Sequence, residues 1–112
     1  MPIDPVLEPD GTRSDFEALF LAFCRRRRLS RPEVNVRIGA YLVDFAWPGR
    51  RLVVEVDGFE SHGTRSAFEA DRERDAELKL LGYDVVRITW RRLERAPAEV
   101  AATLRALLRD RA

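Results

Sequence analysis

The stretch Tyr41-Leu-Val-Asp-Phe-Ala-Trp-Pro-Gly-Arg-Arg-Leu-Val-Val-Glu-Val-Asp-Gly58 predicts a β-hairpin that carries three carboxylates. Runs rich in valine, leucine and aromatic residues flank Pro48-Gly49, and Pro followed by Gly suits the central positions of a tight turn. A two-residue loop then places Asp44, Glu55 and Asp57 on one face of the hairpin. Carboxylates in such an apolar segment need a partner.

The opposite face of the predicted hairpin is apolar, and we assign it to the core. It carries Val43, Phe45, Leu52, Val54 and Val56. On the carboxylate face, Asp44 lies opposite Val53 and diagonal to Glu55, so roughly 7–8 Å separates the backbones of the two acids. Both side chains can then reach one bound cation.

Like charges on one face repel each other, and three arrangements relieve the repulsion. Some carboxylates stay protonated, a cation lies between them, or the face is open to water. Asp and Glu are uncommon in strands, which favours a hard-metal site built from oxygen ligands. The solvated face of an edge hairpin stays open as the alternative.

Length and composition predict one soluble globular domain. The chain has 112 residues, of which 46% are hydrophobic and 35% charged. It has no apolar run near the roughly 20 residues of a membrane span and no signal-peptide core, so we expect a cytoplasmic protein without a membrane partner. The single cysteine, Cys24, excludes an internal disulfide and a cysteine-ligated zinc cage.

The net charge of +1 hides an uneven distribution of arginines. Lys79 is the only lysine, and arginines cluster at Arg25 to Arg28 with Arg31 and again at Arg91, Arg92 and Arg95, while the acids gather mid-chain. Basic flanks around an acidic centre suit a protein that grips a polyanion and holds a metal. Ordinary solvated helix ends explain the same clusters equally well.

The remaining pattern places helices around the hairpin. Residues 1–12 are expected to be a flexible leader or linker remnant, and a larger multidomain parent stays open; residues 13–112 form the domain. Ser14-Asp-Phe-Glu17 matches a capping box that begins a helix ending near Arg27. Strands are expected at residues 34–38 and 84–89, and helices at residues 66–81 and after Pro97. The order αβββαβα predicts an α/β (α+β) domain.

Two acids lie on the apolar side of the predicted middle helix. Asp71 and Asp75 fall beside Leu78 on a helical wheel. They can pair with Arg74, Arg87 or Lys79, or they can orient a residue of the site. Because Lys79 follows Asp75 by four residues, an ordinary helical ion pair is the simpler alternative.

The order of the motifs resembles a known group of nucleases. The motifs are Glu55-x-Asp57-Gly58, then His62, then Asp71-Arg-x-Arg-Asp75, then Leu81-Gly-Tyr-Asp-Val-Val-Arg-x-Thr-Trp90. From about residue 14 to residue 93 the chain resembles the very short patch repair (Vsr-like) endonucleases. It looks closest to an uncharacterised bacterial family related to them, within the PD-(D/E)XK nuclease superfamily. The resemblance implies a restriction-endonuclease-like fold, a mixed four-stranded sheet flanked by helices.

The resemblance also implies a metal site. Asp44 and Glu55 would bind Mg²⁺ or Mn²⁺, with the backbone carbonyl of Val56 as a third ligand. Glu17 would match a catalytic acid on the first helix, although the capping box already explains it. Asp57 stands where most superfamily members have lysine, so it is assigned as a further catalytic or metal-binding acid that departs from the pattern.

Further residues are assigned roles around this site. By the same resemblance His62 would match a catalytic histidine. Asp71 and Asp75, from their place on the middle helix, would support the site from the second layer. Four side chains are assigned to nucleic acid: Arg65, Arg74, Arg87 and Trp90. For Trp90, packing in the core is the alternative.

These expectations lead to three hypotheses on function. The first is a Mg²⁺-dependent endonuclease that hydrolyses DNA in repair or defence. The second, motivated by Asp57, is a catalytically degenerate nuclease fold that acts as a DNA- or protein-binding module. The third is a small structural domain with solvated carboxylates. The sequence leaves open the specificity, nicking or double-strand cutting, DNA or RNA, the pathway and the oligomeric state.

Overall fold

The computed structural model describes residues 13–57 and 65–110, so the expected leader, residues 1–12, lies outside the described residues. The regular elements within them are α1 (Arg13–Arg26), β1 (Glu33–Ile38), β2 (Tyr41–Trp47), β3 (Leu52–Asp57), α2 (Arg65–Leu80), β4 (Asp84–Thr89), α3 (Trp90–Arg95) and α4 (Pro97–Asp110). The predicted order is confirmed, with the short α3 as an addition. None of these helices combines the length and the apolar character that a bilayer crossing requires.

The four strands form one mixed sheet in the order β1-β2-β3-β4. β1 pairs antiparallel with β2, and β2 with β3, whereas β3 and β4 are parallel. Parallel neighbours need a crossover connection, and α2 lies in it. The predicted restriction-endonuclease-like architecture, a mixed four-stranded sheet flanked by helices, is therefore confirmed.

Apolar side chains cover both faces of this sheet. The larger cluster joins α1, α3 and α4 to one face, and its fully buried members include Phe20, Phe45 and Leu104. A smaller cluster lies on the other face, where Leu78 of α2 packs with Val53 and its neighbours. Because α2 covers the carboxylate face, that face is not the open surface of an edge hairpin.

The turn of the central hairpin differs from the prediction. Trp47 pairs with Leu52, so four residues connect the strands, beginning with a 3-10 turn at Pro48–Arg50. The positive φ lies at Arg51 (54°) rather than at Gly49. Two extra loop residues leave the parity of the pairing unchanged, so Phe45, Leu52 and Val54 share a face as predicted although the register is wrong.

The expected alternation along β2 is interrupted. The sequence places Val43 on the face of Phe45, and this is wrong, because Val43 packs in the cluster below α2 while Phe45 packs in the larger one. Asp44 lies between them, and Asn35 lies beside Asp44 in β1 with a left-handed φ of 55°. Asn tolerates this conformation better than most residues, and a local twist of this kind redirects the following side chains.

Helix α1 ends in a Schellman-type cap. The N–H of Leu29 donates to the carbonyl of Cys24 at 2.9 Å, and the N–H of Arg28 donates to the carbonyl of Arg25 at 3.1 Å. This geometry puts Arg28 at a φ of 60°. Glycine is the usual residue at such a position because a side chain is strained there.

Arg28→Gly is therefore expected to stabilise the domain. Relief of the left-handed backbone gives roughly 1–2 kcal/mol, and the chain entropy of glycine takes back roughly 0.5–1 kcal/mol. We expect a net rise of about 0.5–1 kcal/mol in the free energy of unfolding, measured by urea titration. Arg26→Gly, within the helix, is the matched control and should lower stability by about 1 kcal/mol. A less stable Arg28→Gly protein would contradict this account of the cap.

Candidate active site

Strands β2 and β3 separate at Asp44 and Glu55. The last backbone pair of the two strands is Phe45 with Val54, and continuing this register by one residue places Asp44 directly opposite Glu55. The prediction of a diagonal pair, with Asp44 opposite Val53, is therefore wrong in register. Hydrogen bonds between their strands make the two acids closer neighbours than expected.

The two carboxylates replace backbone hydrogen bonds where the strands separate. The N–H of Asp44 donates to Oε2 of Glu55 at 3.0 Å, and the N–H of Val56 donates to Oδ2 of Asp44 at 2.9 Å. Each acid is thus oriented by a main-chain donor of the opposite strand. Because a buried N–H needs an acceptor, the backbone holds both carboxylates in place.

Glu55 is a buried charged side chain, with 7% of its surface exposed. Burial, and then the negative charge of Asp44, raise the pKa of the Glu55 carboxyl above its usual value. The N–H of Asp44 and the positive charges of Arg74 and Arg87 act in the opposite direction. A nearby cation would offset both effects, because it stabilises the ionised carboxylate.

The cation present at Glu55 is the guanidinium of Arg74, from α2. Its Nη2 donates to Oε1 of Glu55 at 3.1 Å and to the carbonyl oxygen of Leu42 at 2.8 Å. The guanidinium also lies 5.4 Å from the centroid of the Tyr41 ring. Its Nε is buried and has no hydrogen-bond partner among the described residues. Arg74 was assigned to nucleic acid, but its guanidinium lies at the carboxylate pair.

Arg87, next to Glu55 on β4, is surrounded by acids. It forms a two-point hydrogen bond with Asp75 at 2.9 and 3.1 Å, and it lies 3.8 Å from both Asp57 and Asp71. Burial lowers the pKa of Arg87, but the hydrogen bonds and charges of Asp75, with those of Asp71 and Asp57, outweigh burial and raise it. Arg87 is engaged within the protein and holds α2 beside the sheet.

The predicted ion pair between Asp75 and Lys79 does not form. Lys79 pairs with Asp84, with 2.5 Å between Nζ and Oδ1. Asp75 points to Arg87 instead, in agreement with its place on the apolar side of α2. The i, i+4 pairing fails here because the half-buried Arg87 offers Asp75 two aligned donors, whereas the exposed Lys79 offers a point charge.

Glu17 lies on α1 and is linked to β1. The helix begins at Arg13, so Ser14 lies inside it and cannot cap it as predicted. The Nδ2 of Asn35 donates to Oε2 of Glu17 at 2.9 Å. Since Asn35 is opposite Asp44 in the register, Glu17 is connected to the neighbourhood of the site.

The structure takes Trp90 out of reach of a ligand. Only 5% of its surface is exposed, and its ring lies 5.6 Å from that of Phe16 in the larger core cluster. The alternative of core packing therefore applies to Trp90. His62 and the side chain of Arg65 lie outside the described residues.

Sequence reasoning missed Asn35 and Tyr41. Asn35 adopts the left-handed φ beside Asp44, and the Tyr41 hydroxyl donates to Oε1 of Glu77 at 2.6 Å while its ring lies beside Arg74. An Asn inside an alternating strand pattern was a usable signal, because Asn is depleted in strands and tolerates φ > 0. No local pattern pointed to Tyr41.

The oxygen ligands of Asp44 and Glu55 are of the kind that a hard cation prefers, but two side chains are too few to fill its coordination shell. Asp44 and Glu55 provide carboxylate oxygens, the ligand class that Mg²⁺ prefers. Within the described side chains, no group of three or more His, Cys, Asp or Glu residues is placed to hold a metal ion. Backbone carbonyls or water would have to complete the shell.

The fold is that of a restriction-endonuclease-like protein. The chain belongs to the family REase_MTES_1575, which it matches over residues 16–108. The expected relation to an uncharacterised nuclease family is thereby confirmed. The family supports a nuclease as the class of activity.

The chain is also similar to individual proteins. Two uncharacterised proteins of Mycobacterium tuberculosis, from strains CDC 1551 / Oshkosh and H37Rv, are each 39% identical over 62 residues, which cover 55% of this chain and 23% of theirs. The match thus spans about a quarter of each relative. The homing endonuclease I-Bth0305I catalytic domain superposes with a TM-score of 0.66 at 18% identity, over 91% of this chain and 94% of that one. At this identity the likeness shows the fold.

The raised pKa of Glu55 gives a pH-dependent prediction. The pKa of Glu55 is higher in the folded protein than in the unfolded chain. Between these two pKa values the unfolded chain loses its proton first, so the free energy of unfolding falls as the pH rises through this window. Glu55→Gln removes this loss, so its stability relative to the wild type should increase across that window and stay level below it. Urea titration over a pH series measures the difference.

The exposed Glu94→Gln variant is the matched control and should track the wild type. The diagnostic quantity is how the difference in stability between Glu55→Gln and the wild type changes with pH. The amide also alters hydrogen bonds, but this contribution is the same at every pH. A pH-independent difference for Glu55→Gln would contradict the assignment.

Proposed function

We propose that this chain is a metal-dependent endonuclease that hydrolyses the phosphodiester bonds of DNA, of the Vsr-like kind expected from its motifs. The observation that carries the proposal is the Asp44–Glu55 pair, two acids oriented by each other's strands where the hairpin separates. The membership in a restriction endonuclease-like family supports the reaction class. Repair or defence is the proposed setting.

The metal would be Mg²⁺ or Mn²⁺. Asp44 and Glu55 would hold it through carboxylate oxygens, with the carbonyl of Val56 next to them and Asp57 as a further acid. When bound, such an ion lowers the pKa of a water and offsets the charge that builds up in an in-line displacement. Zinc is less suited to this all-oxygen set.

The protein's own groups keep the acids in position. The N–H of Val56 fixes Asp44, and the N–H of Asp44 fixes Glu55, so little reorganisation is needed before reaction. Glu17 would support Asp44 through Asn35, and Asp71 and Asp75 support the site by holding Arg87. His62 is proposed as the general base or as a donor to the phosphate.

Arg74 is the proposed source of positive charge for the reaction. The chain has Asp57 where most members of the superfamily have lysine, and an acid cannot stabilise a developing negative charge. The Arg74 guanidinium already lies at Oε1 of Glu55. If the Arg74 guanidinium moved from Glu55 to a substrate phosphate, it would free the Glu55 carboxylate for the metal and neutralise charge on the phosphate.

The first test is cleavage of supercoiled plasmid with Mg²⁺ or Mn²⁺. Asp44→Asn and Glu55→Gln should each reduce the rate by about 100-fold or more, because each removes a charge at the proposed metal site. Mg²⁺ should raise the melting temperature of the wild type but not of these variants. Glu94→Gln is the control and should behave as wild type in both assays.

Two outcomes would count against the proposal. Cleavage that survives both substitutions would remove the carboxylate pair from the mechanism. Clear binding of Mg²⁺ without cleavage of duplex, single-stranded or mismatched DNA would favour the degenerate binding module, with the acid at Asp57 as its cause.

The second test addresses Arg74. Arg74→Met keeps much of the side-chain volume but removes the charge, so we expect cleavage to fall by about 100-fold. Because the Arg74 charge lowers the pKa of Glu55, the acid limb of the pH–rate profile should move to higher pH. Arg74→Lys should restore part of the rate and return the profile. A rate loss with an unchanged profile would assign Arg74 to structure alone.

A further inference from the structure

Arginines concentrate in three segments that contain no acidic residue. Residues 25–31 hold five arginines, residues 48–51 hold two, and residues 105–109 hold two. We call this set the basic pole; its members are Arg25 to Arg28, Arg31, Arg50, Arg51, Arg105 and Arg109. Together they make nearly half of the 20 basic residues of the chain.

Hydrogen bonds bring these segments to one end of the molecule. Nη2 of Arg105 donates to the carbonyl of Arg27 at 2.8 Å, which joins α4 to the end of α1. Arg50 donates to the carbonyl of Leu108, which joins the hairpin turn to α4. The indole of Trp47 donates to the carbonyl of Ser30 at 3.0 Å and completes the connection.

The arginines of the basic pole are accessible. All except the half-buried Arg27 are exposed. Within residues 13–57 and 65–110, none of them forms an ion pair with a carboxylate. The three that donate to backbone carbonyls keep further guanidinium donors, because each has five N–H groups.

Stabilisation of helix ends explains only part of this set. The negative ends of the α1 and α4 dipoles favour cations in their last turns, which accounts for Arg25, Arg26 and Arg109. The effect fades beyond the last turn, so it does not account for Arg31 or the turn arginines. Like charges this close repel one another, and a bound polyanion would offset the repulsion.

We infer that the basic pole binds the phosphate backbone of nucleic acid, as a second contact surface apart from the paired acids. A duplex carries one negative charge per about 1.7 Å of its axis. This dense row of charges can contact arginines in all three segments at once, whereas the scattered carboxylates of a protein surface would reach fewer of them. Guanidinium groups also bind phosphate through two aligned hydrogen bonds. The choice of DNA as the ligand rests on the proposed function.

The basic pole lies at the hairpin-turn end of β3, and Asp57 lies at the other end of that strand. From Arg51 to Glu55 the strand advances by four residues, which is about 13 Å at the usual rise. A bound duplex is long enough to contact both regions. The pole would hold DNA without reading its sequence, since phosphate contacts carry no base information.

The test is binding of a fluorescein-labelled DNA duplex, about three helical turns long, by anisotropy in EDTA. Without metal, binding is measured separately from cleavage. Arg25→Gln/Arg26→Gln/Arg28→Gly should weaken binding by about tenfold and reduce the slope of log K against log salt by about one unit per arginine removed. Arg28→Gly is chosen because it does not strain the helix cap.

A second triple variant, Arg37→Gln/Arg91→Gln/Arg95→Gln, removes the same charge from exposed positions elsewhere. It should lose clearly less affinity than the pole variant. Equal losses would show a net-charge effect and overturn the inference, as would absence of DNA binding by the wild type at low salt. Displacement of the duplex by polyglutamate at equal charge concentration would overturn the choice of nucleic acid.

The two proposals can fail separately. Plasmid cleavage with equal binding losses in the two triple variants would keep the nuclease and remove the basic pole. A selective loss of binding in the pole variant, with no cleavage by any metal tried, would keep the pole as a DNA-binding surface and remove the enzyme.

Discussion

The rest of the site depends on two hydrogen bonds between β2 and β3, in which the carboxylates of Glu55 and Asp44 accept the N–H groups of Asp44 and Val56. At this point two antiparallel strands stop pairing through their backbones, and side-chain oxygens accept the N–H groups that would otherwise be unsatisfied. The hydrogen bonds that satisfy these backbone N–H groups thus also orient the two acids at one place. The cost is a buried negative charge at Glu55, which the surrounding helices must offset.

Two arginine–carboxylate pairs connect helix α2 to the sheet. Arg74, from the helix, reaches the sheet at Glu55, whereas Arg87, from the sheet, reaches the helix at Asp75. The pairs run in opposite directions across the same interface, so they fix the helix along the sheet more firmly than one pair would. Leu78 adds the apolar contact that brings α2 to this face.

The sequence predicted faces better than it predicted register. Phe45, Leu52 and Val54 share a face for any even change in loop length, so this part of the prediction survived a four-residue connection where two residues were expected. The place of Val43 could not be predicted, because it follows from the left-handed Asn35 across the strand. The burial of Trp90 could not be predicted either, because it depends on packing against α1, which is distant in sequence.

The charge balance of this interface gives a reason for Asp57 that does not involve catalysis. Asp57 and Arg87 belong to adjacent parallel strands, and Arg87 lies within 3.8 Å of the Asp57 carboxylate. A lysine at position 57 would instead face the Arg87 guanidinium and repel it. The acid therefore fits this chain electrostatically once Arg87 occupies β4. In the proposed reaction, positive charge would then come from Arg74, whose guanidinium contacts Glu55.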